Sequence, residues 1–171
     1  MATAWPEPVE RVSSFLREAG AEARIEELTE GAHTAEDAAA AVGCGLDQIV
    51  KSLVLLCDQR PVVALVPGDR RGDPAKIALA SGADRARVAS ADEVKEATGF
   101  APGAVAPFPL PRVETVLLER DLLRKPVVWV GGGSSNHLVG LSPSELLRLS
   151  RARPVDVVSE PTYDSIEPKE R

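Results

Sequence analysis

Cysteine and histidine are scarce in this 171-residue chain, two of each: Cys44, Cys57, His33 and His137. The cysteines lack CxxC spacing, which excludes a disulfide scaffold at this length and points to a reducing, cytoplasmic setting. None of the four residues is spaced as a zinc ligand set, so no metal centre is expected. Neither GxxxxGK[ST] nor a GxGxxG following a strand occurs, which removes the commonest nucleotide cradles, and no cofactor is expected. The run Gly131-Gly132-Gly133-Ser134-Ser135 fails the GxSxG nucleophile elbow because Asn136, the one asparagine of the chain, holds the last glycine position. Ser135 and His137 lie too close along one extended segment to be assumed an activated pair. Self-sufficient nucleophilic catalysis has no apparatus here.

Long apolar runs are missing too. None approaches the roughly eighteen residues of a membrane span, so no membrane partner is expected. Met1–Glu7 has no basic stretch leading into an apolar one, which argues against a secretory signal.

Against these absences, 44% of the residues are apolar and 27% charged, the composition of an ordinary globular domain. The length fits one domain, expected over residues 1–159, with 160–171 as a flexible tail. The formal charge of −6 argues against a large sequence-independent nucleic-acid interface. That charge is uneven. Met1–Val50 holds 3 basic and 10 acidic residues, whereas Arg60–Arg87 holds 6 basic and 3 acidic. Such a fluctuation is commonly a solvated face; its functional reading is a phosphate-bearing ligand beside Arg60–Arg87.

Helical spacing of Val9, Val12, Phe15, Leu16 and Ala19 predicts a helix stopped by Gly20. Glu22–Leu28 alternates as a short strand. Thr34 caps a helix over Ala35–Val42 that Gly43 ends. Leu53–Cys57 and Val62–Val66, separated by Asp58–Pro61, read as a hairpin. Pro74 opens a helix through Leu79, and another covers Ala91–Ala97 before Gly99. Pro102, Pro107, Pro109 and Pro111 forbid regular structure between them. Strands follow at Val113–Leu118 and Val127–Val130. Ser142-Pro143-Ser144-Glu145 is a capping box opening a helix to Leu149, and Val155–Val158 reads as a last strand. Short dispersed helices and hairpin spacing predict an α+β fold: one curved, mixed, barrel-like β-sheet flanked by helices.

Three places are odd for pure structure. Lys51-Ser52 opens an apolar strand, where a lysine is ordinarily an exposed side chain with its stem laid on apolar surface. Gly103-Ala104-Val105-Ala106-Pro107 is an apolar loop. It reads either as a buried connection or as a rigid loop offering its own N–H and C=O groups to a ligand. Gly131–His137 follows a strand and reads as a flexible turn, except that Asn136 and His137 stand at its end.

Taken together, these segments resemble the YbaK / prolyl-tRNA-synthetase-associated editing-domain family. The resemblance rests on Lys51–Leu55, Val63-Ala64-Leu65-Val66-Pro67-Gly68-Asp69-Arg70-Arg71 and Gly99–Phe108. It continues through Gly131–His137 and Leu141–Leu146, spanning about residues 30–150. It implies a curved mixed sheet with a cleft that hydrolyses mischarged aminoacyl-tRNA. In that likeness Lys51 is the family's essential lysine, meeting the terminal adenosine's phosphate or the aminoacyl end. Gly103 and Pro107 match the ends of its GxxxP loop, whose backbone orients the ester through Ala104, Val105 and Ala106. His137 resembles a histidine on the pocket wall, with Gly133 just before it. Ser52 replaces a frequent Thr and keeps the hydroxyl, while Ala106 and Pro109 depart from the common pattern beside the pocket.

An aminoacyl ester is already activated, and its ribose carries a vicinal hydroxyl that can position or deprotonate water. Orientation and a few preorganised donors then suffice, which fits the missing triad. The expectation is substrate-assisted, metal-independent hydrolysis by a free-standing factor acting in trans. Its partners would be the tRNA acceptor end and an aminoacyl-tRNA synthetase, with Arg70 and Arg71 as the first phosphate contacts. The alternatives are a non-catalytic module binding aminoacyl-tRNA or a synthetase, and a small-molecule ester hydrolase.

Overall fold

The computed structural model describes residues 5–29 and 34–160. His33 and residues 161–171 of the expected tail lie outside the described residues.

The chain opens with α1 (Glu7–Glu18), whose Val9, Val12 and Leu16 are buried at helical spacing. Next come β1 (Ala23–Glu27) and α2 (Ala35–Val42). Thr34 Oγ1 accepts the Asp37 N–H and Gly43 closes α2 in the left-handed region, as its sequence predicts. The hairpin is longer than its apolar runs: β2 covers Val50–Cys57 and β3 Arg60–Pro67. Only Asp58 and Gln59 form the turn, both at positive φ, the pattern whose twist matches a two-residue hairpin. The Asp58 carboxylate accepts the N–H groups of Asp84 and Arg85, which helps hold a non-glycine residue there.

Then follow α3 (Pro74–Ala80), β4 (Ala86–Val88) and α4 (Ala91–Thr98). After the Pro-rich stretch come β5 (Thr115–Glu119), β6 (Val128–Gly131), β7 (His137–Leu141), α5 (Pro143–Ser150) and β8 (Arg153–Val155). Ser142 Oγ accepts the Glu145 N–H, but the Glu145 carboxylate accepts the N–H of Glu22 instead of closing the box. β8 lies two residues earlier than its apolar run suggests. Val158 makes one isolated bridge with Gly72.

The α+β composition stands; the single barrel-like sheet does not. Two sheets form, a three-stranded antiparallel one ordered β1-β7-β6 and a five-stranded mixed one ordered β4-β2-β3-β5-β8. No closed barrel results among the described residues. The sheets meet at one parallel bridge, Ile49 with Trp129, just before β2. Beyond it β2 pairs with β3 along its whole length and with β4 from Leu55 onward, and the bridge to β6 does not continue as a ladder.

β3 is apolar on both faces and buried on both. Val63 and Leu65 join the main core with Phe100, Phe108, Val128, Val139 and Leu146. Val62, Ala64 and Val66 face a second layer holding Ile77, Leu117, Val157 and Val158. That doubly covered strand is the rigid support behind β2, which carries Lys51.

Candidate active site

A cleft of about 400 Å³ opens where the start of β2, the 101–107 loop and the β6–β7 turn converge. Lys51, Ser52, Gly103, Val105 and His137 all line it, with Ser134 and Ser135. Five residues marked from sequence therefore share one cavity.

Lys51 stands opposite Val66 in the hairpin register. Its Nζ donates to the Arg70 carbonyl oxygen at 3.1 Å. Among the described residues no carboxylate pairs with it, so its charge is left for a ligand. The neighbouring Ser52 Oγ is buried and has no hydrogen-bond partner among the described residues. A buried hydroxyl in that state costs about 1–3 kcal/mol until something bonds to it.

The 101–107 loop is positioned by two close approaches. Gly103 sits at φ +81°, and the Ala104 N–H returns to the Ala101 carbonyl at 3.0 Å, closing a Pro-Gly turn. Gly131 abuts the loop so tightly that a Cβ there would stand 2.7 Å from the Val105 carbonyl oxygen. Within this frame the N–H groups of Gly103 and Val105 make no hydrogen bond among the described residues. Both residues line the cleft, and their backbone donors are unpaired among the described residues.

His137 is 3% exposed at its side chain, with the Trp5 ring packed edge-on at 5.4 Å. Burial holds its pKa below the ordinary imidazole value, and the Glu27 carboxylate, 3.7 Å from Nε2, opposes that shift. Its Nδ1 lies 2.6 Å from Ser134 Oγ.

Other marked residues lie elsewhere. Ala106 is fully buried in the main core and Ala104 is half-buried. Pro107 lines a separate cavity of about 760 Å³ with Phe15, Phe108 and Pro109. Gly133, at φ +104°, packs on α1: a Cβ would come within 2.8 Å of the Pro8 carbonyl. Its glycine serves helix docking. Arg70 is engaged inside the protein, donating to the Ser159 carbonyl at 3.0 Å and facing Asp121 at 3.7 Å. Arg71 is exposed and makes no ion pair among the described residues.

The basic segment does not assemble as one patch. Arg60 and Arg87 pair with Cys57 and Leu56 at the far end of β2, roughly 20 Å along the strand from Lys51. Lys76 is held by Asp156 and Arg87 by Glu93. Only the Arg70–Arg71 turn accompanies Lys51.

Sequence reasoning missed Ser134. The signal was a hydroxyl three residues before His137, concealed by reading Gly131–His137 as a flexible turn with no strand after it.

No helix among the described residues is long and apolar enough to cross a membrane. The structure is similar to a solved one described as a candidate trans-editing enzyme for prolyl-tRNA synthetase. The TM-score is 0.86 at 35% identity, covering 92% of this chain and all of that one. It is also similar to the hypothetical protein APE2540, with TM-score 0.81 and 31% identity. Proline–tRNA ligase of Maridesulfovibrio salexigens is 32% identical over 139 residues, 80% of this chain. This chain spans only about a quarter of that ligase (24%). The Bacillus subtilis protein YwhH, uncharacterized, is 35% identical over 127 residues and is matched over 80% of its length. The aminoacyl-tRNA editing domain description matches residues 29–149, more than half of the sequence, and the chain belongs to that family.

Proposed function

We propose that this protein is an aminoacyl-tRNA deacylase that hydrolyses the ester of mischarged tRNA in translation quality control. The observation that carries the reading is the convergence of Lys51, Ser52, Gly103, Val105 and His137 on one cleft. Action in trans is supported by the full-length match to a solved structure described as a candidate trans-editing enzyme.

In this mechanism the Lys51 ammonium, moored by backbone and paired with no carboxylate among the described residues, anchors the phosphate or aminoacyl end of the acceptor strand. The free N–H groups of Gly103 and Val105 receive the ester carbonyl and hold the charge that develops on it. Ser52 Oγ and the His137 ring face the aminoacyl group. The ribose vicinal hydroxyl positions the attacking water, so the chain supplies orientation rather than a nucleophile. Ala106 is sealed in the core, so amino-acid selectivity rests on the cleft wall instead. The nucleic-acid partner is the single-stranded acceptor end, gripped by few charges. A prolyl-tRNA synthetase is the synthetase partner that the relatives favour.

The test is deacylation of a panel of mischarged tRNAs by the purified chain. Accelerated ester loss for at least one pair is expected. Equal half-lives with and without protein across the panel would overturn the enzyme and leave a binding module.

A further inference from the structure

Ser134 has no part in that mechanism, yet it makes the shortest polar contact of the cleft wall. Its Oγ stands 2.6 Å from His137 Nδ1 and also accepts the Asn136 N–H at 3.0 Å. With one lone pair taken by Asn136, the oxygen retains its proton and one further lone pair. Across that 2.6 Å the Oγ can either donate its proton to His137 Nδ1 or accept one from it, and the Glu27 side of the ring decides between the two. Donation to Nδ1 requires that nitrogen to be bare, which puts the ring proton of a neutral imidazole on Nε2.

The other side of the ring agrees. Among the described residues His137 Nε2 is buried without a hydrogen-bond partner, and the nearest opposite charge is the Glu27 carboxylate at 3.7 Å. Glu27 and His137 are cross-strand partners in the β1–β7 ladder, so the approach is fixed by register. A carboxylate beyond Nε2 favours a proton on that atom. The Trp5 ring packed edge-on leaves the imidazole little freedom to flip.

We propose that Ser134 and Glu27 are positioning residues that hold His137 as the neutral tautomer protonated on Nε2. Both ring nitrogens are then spoken for. Nδ1 already accepts from Ser134, and Nε2 already carries its proton. His137 therefore serves the cleft as a fixed donor and wall, and is not the base that takes a proton from the attacking water. Its catalytic consequence rests on the deacylase reading and assigns that proton to the substrate's ribose hydroxyl. The tautomer itself does not depend on that reading.

The chain has two histidines, which makes the test spectroscopically simple. Long-range ¹H–¹⁵N correlation on the labelled full chain at pH 7 reads each ring's protonation, and His33→Gln assigns His137. A single tautomer with bare Nδ1 and protonated Nε2 is expected. Ser134→Ala should mix the tautomers, and Ser134→Thr, which keeps the hydroxyl, should restore one. On mischarged tRNA, Ser134→Ala should lower kcat/KM about tenfold, the size of one lost hydrogen bond, and Ser134→Thr should recover it. A wild-type ring protonated on Nδ1, or a Ser134→Ala spectrum unchanged from wild type, would overturn the proposal. The expected spectra with no hydrolysed tRNA would sustain the positioning role and overturn the deacylase reading alone.

Discussion

The Lys51 ammonium is tied to the carbonyl oxygen of Arg70, 3.1 Å away, and the Arg70 side chain is tied in turn to the Ser159 carbonyl. A charge lining the cleft is thus fixed by backbone, and among the described residues no carboxylate pairs with it. Lys51→Met keeps the apolar stem and removes the charge. It should lower kcat/KM by about 10- to 100-fold, the range for a lost hydrogen bond to a charged group, with a thermal midpoint lowered only by the loss of the single bond to the Arg70 carbonyl. Lys51→Arg should rescue poorly, because a planar fork does not replace a point charge. Wild-type kinetics in Lys51→Met would remove the anchoring role.

The two arginines of the β3–α3 turn should separate by assay. Arg70→Ala breaks contacts to Ser159 and Asp121 and should lower stability first. Arg71→Ala breaks no side-chain hydrogen bond or ion pair among the described residues, so it should weaken tRNA binding at an unchanged melting temperature. The salt dependence should be shallow, with a logarithmic slope near −1 for one or two single-strand phosphates, at about −0.7 each. A slope for six or more phosphates would show a wider interface than this cleft provides.

Local chemistry was readable in the sequence and long-range pairing was not. Thr34, Gly43, Pro74 and Ser142 mark helix ends through bonds within a few residues, and each marks the right place. The division into two sheets depends on β1 meeting β7, with Glu27 opposite His137. No local pattern encodes that. The cleft residues were legible because Lys51 and the Gly103 loop are odd for structure wherever they fold. The glycine run misled for the opposite reason. Gly131 and Gly133 look like flexibility, yet each is a point of close contact, with Val105 and Pro8.

Acidification should destabilise the protein through His137. Burial holds its folded pKa below the ordinary 6.5, with the pull of Glu27 too weak to reverse it. Between the two values the unfolded chain binds a proton that the folded chain does not. The stabilising contribution is therefore complete above the unfolded value and is lost as pH falls through it toward the folded one. The wild-type urea midpoint should drop more between pH 7.5 and 5.5 than that of His137→Gln. Parallel midpoints in the two proteins would refute a buried neutral ring.

Gly131→Ala tests whether the loop is positioned by backbone contact. The new methyl would sit 2.7 Å from the Val105 carbonyl oxygen, and that oxygen belongs to backbone that cannot swing aside as a side chain would. The loop must shift, carrying the Gly103 and Val105 N–H groups away from the ester. A displacement near 1 Å at such donors costs on the order of 10²-fold in rate. Gly103→Ala provides the contrast. Its methyl meets open space, but its φ of +81° is unfavourable for alanine, so about 1–2 kcal/mol of strain should appear as lost stability. Single-turnover deacylation and denaturant midpoints on both variants distinguish the effects. Gly131→Ala should lose rate out of proportion to its stability. Equal rates in Gly131→Ala and wild type would mean that the loop amides do not hold the ester.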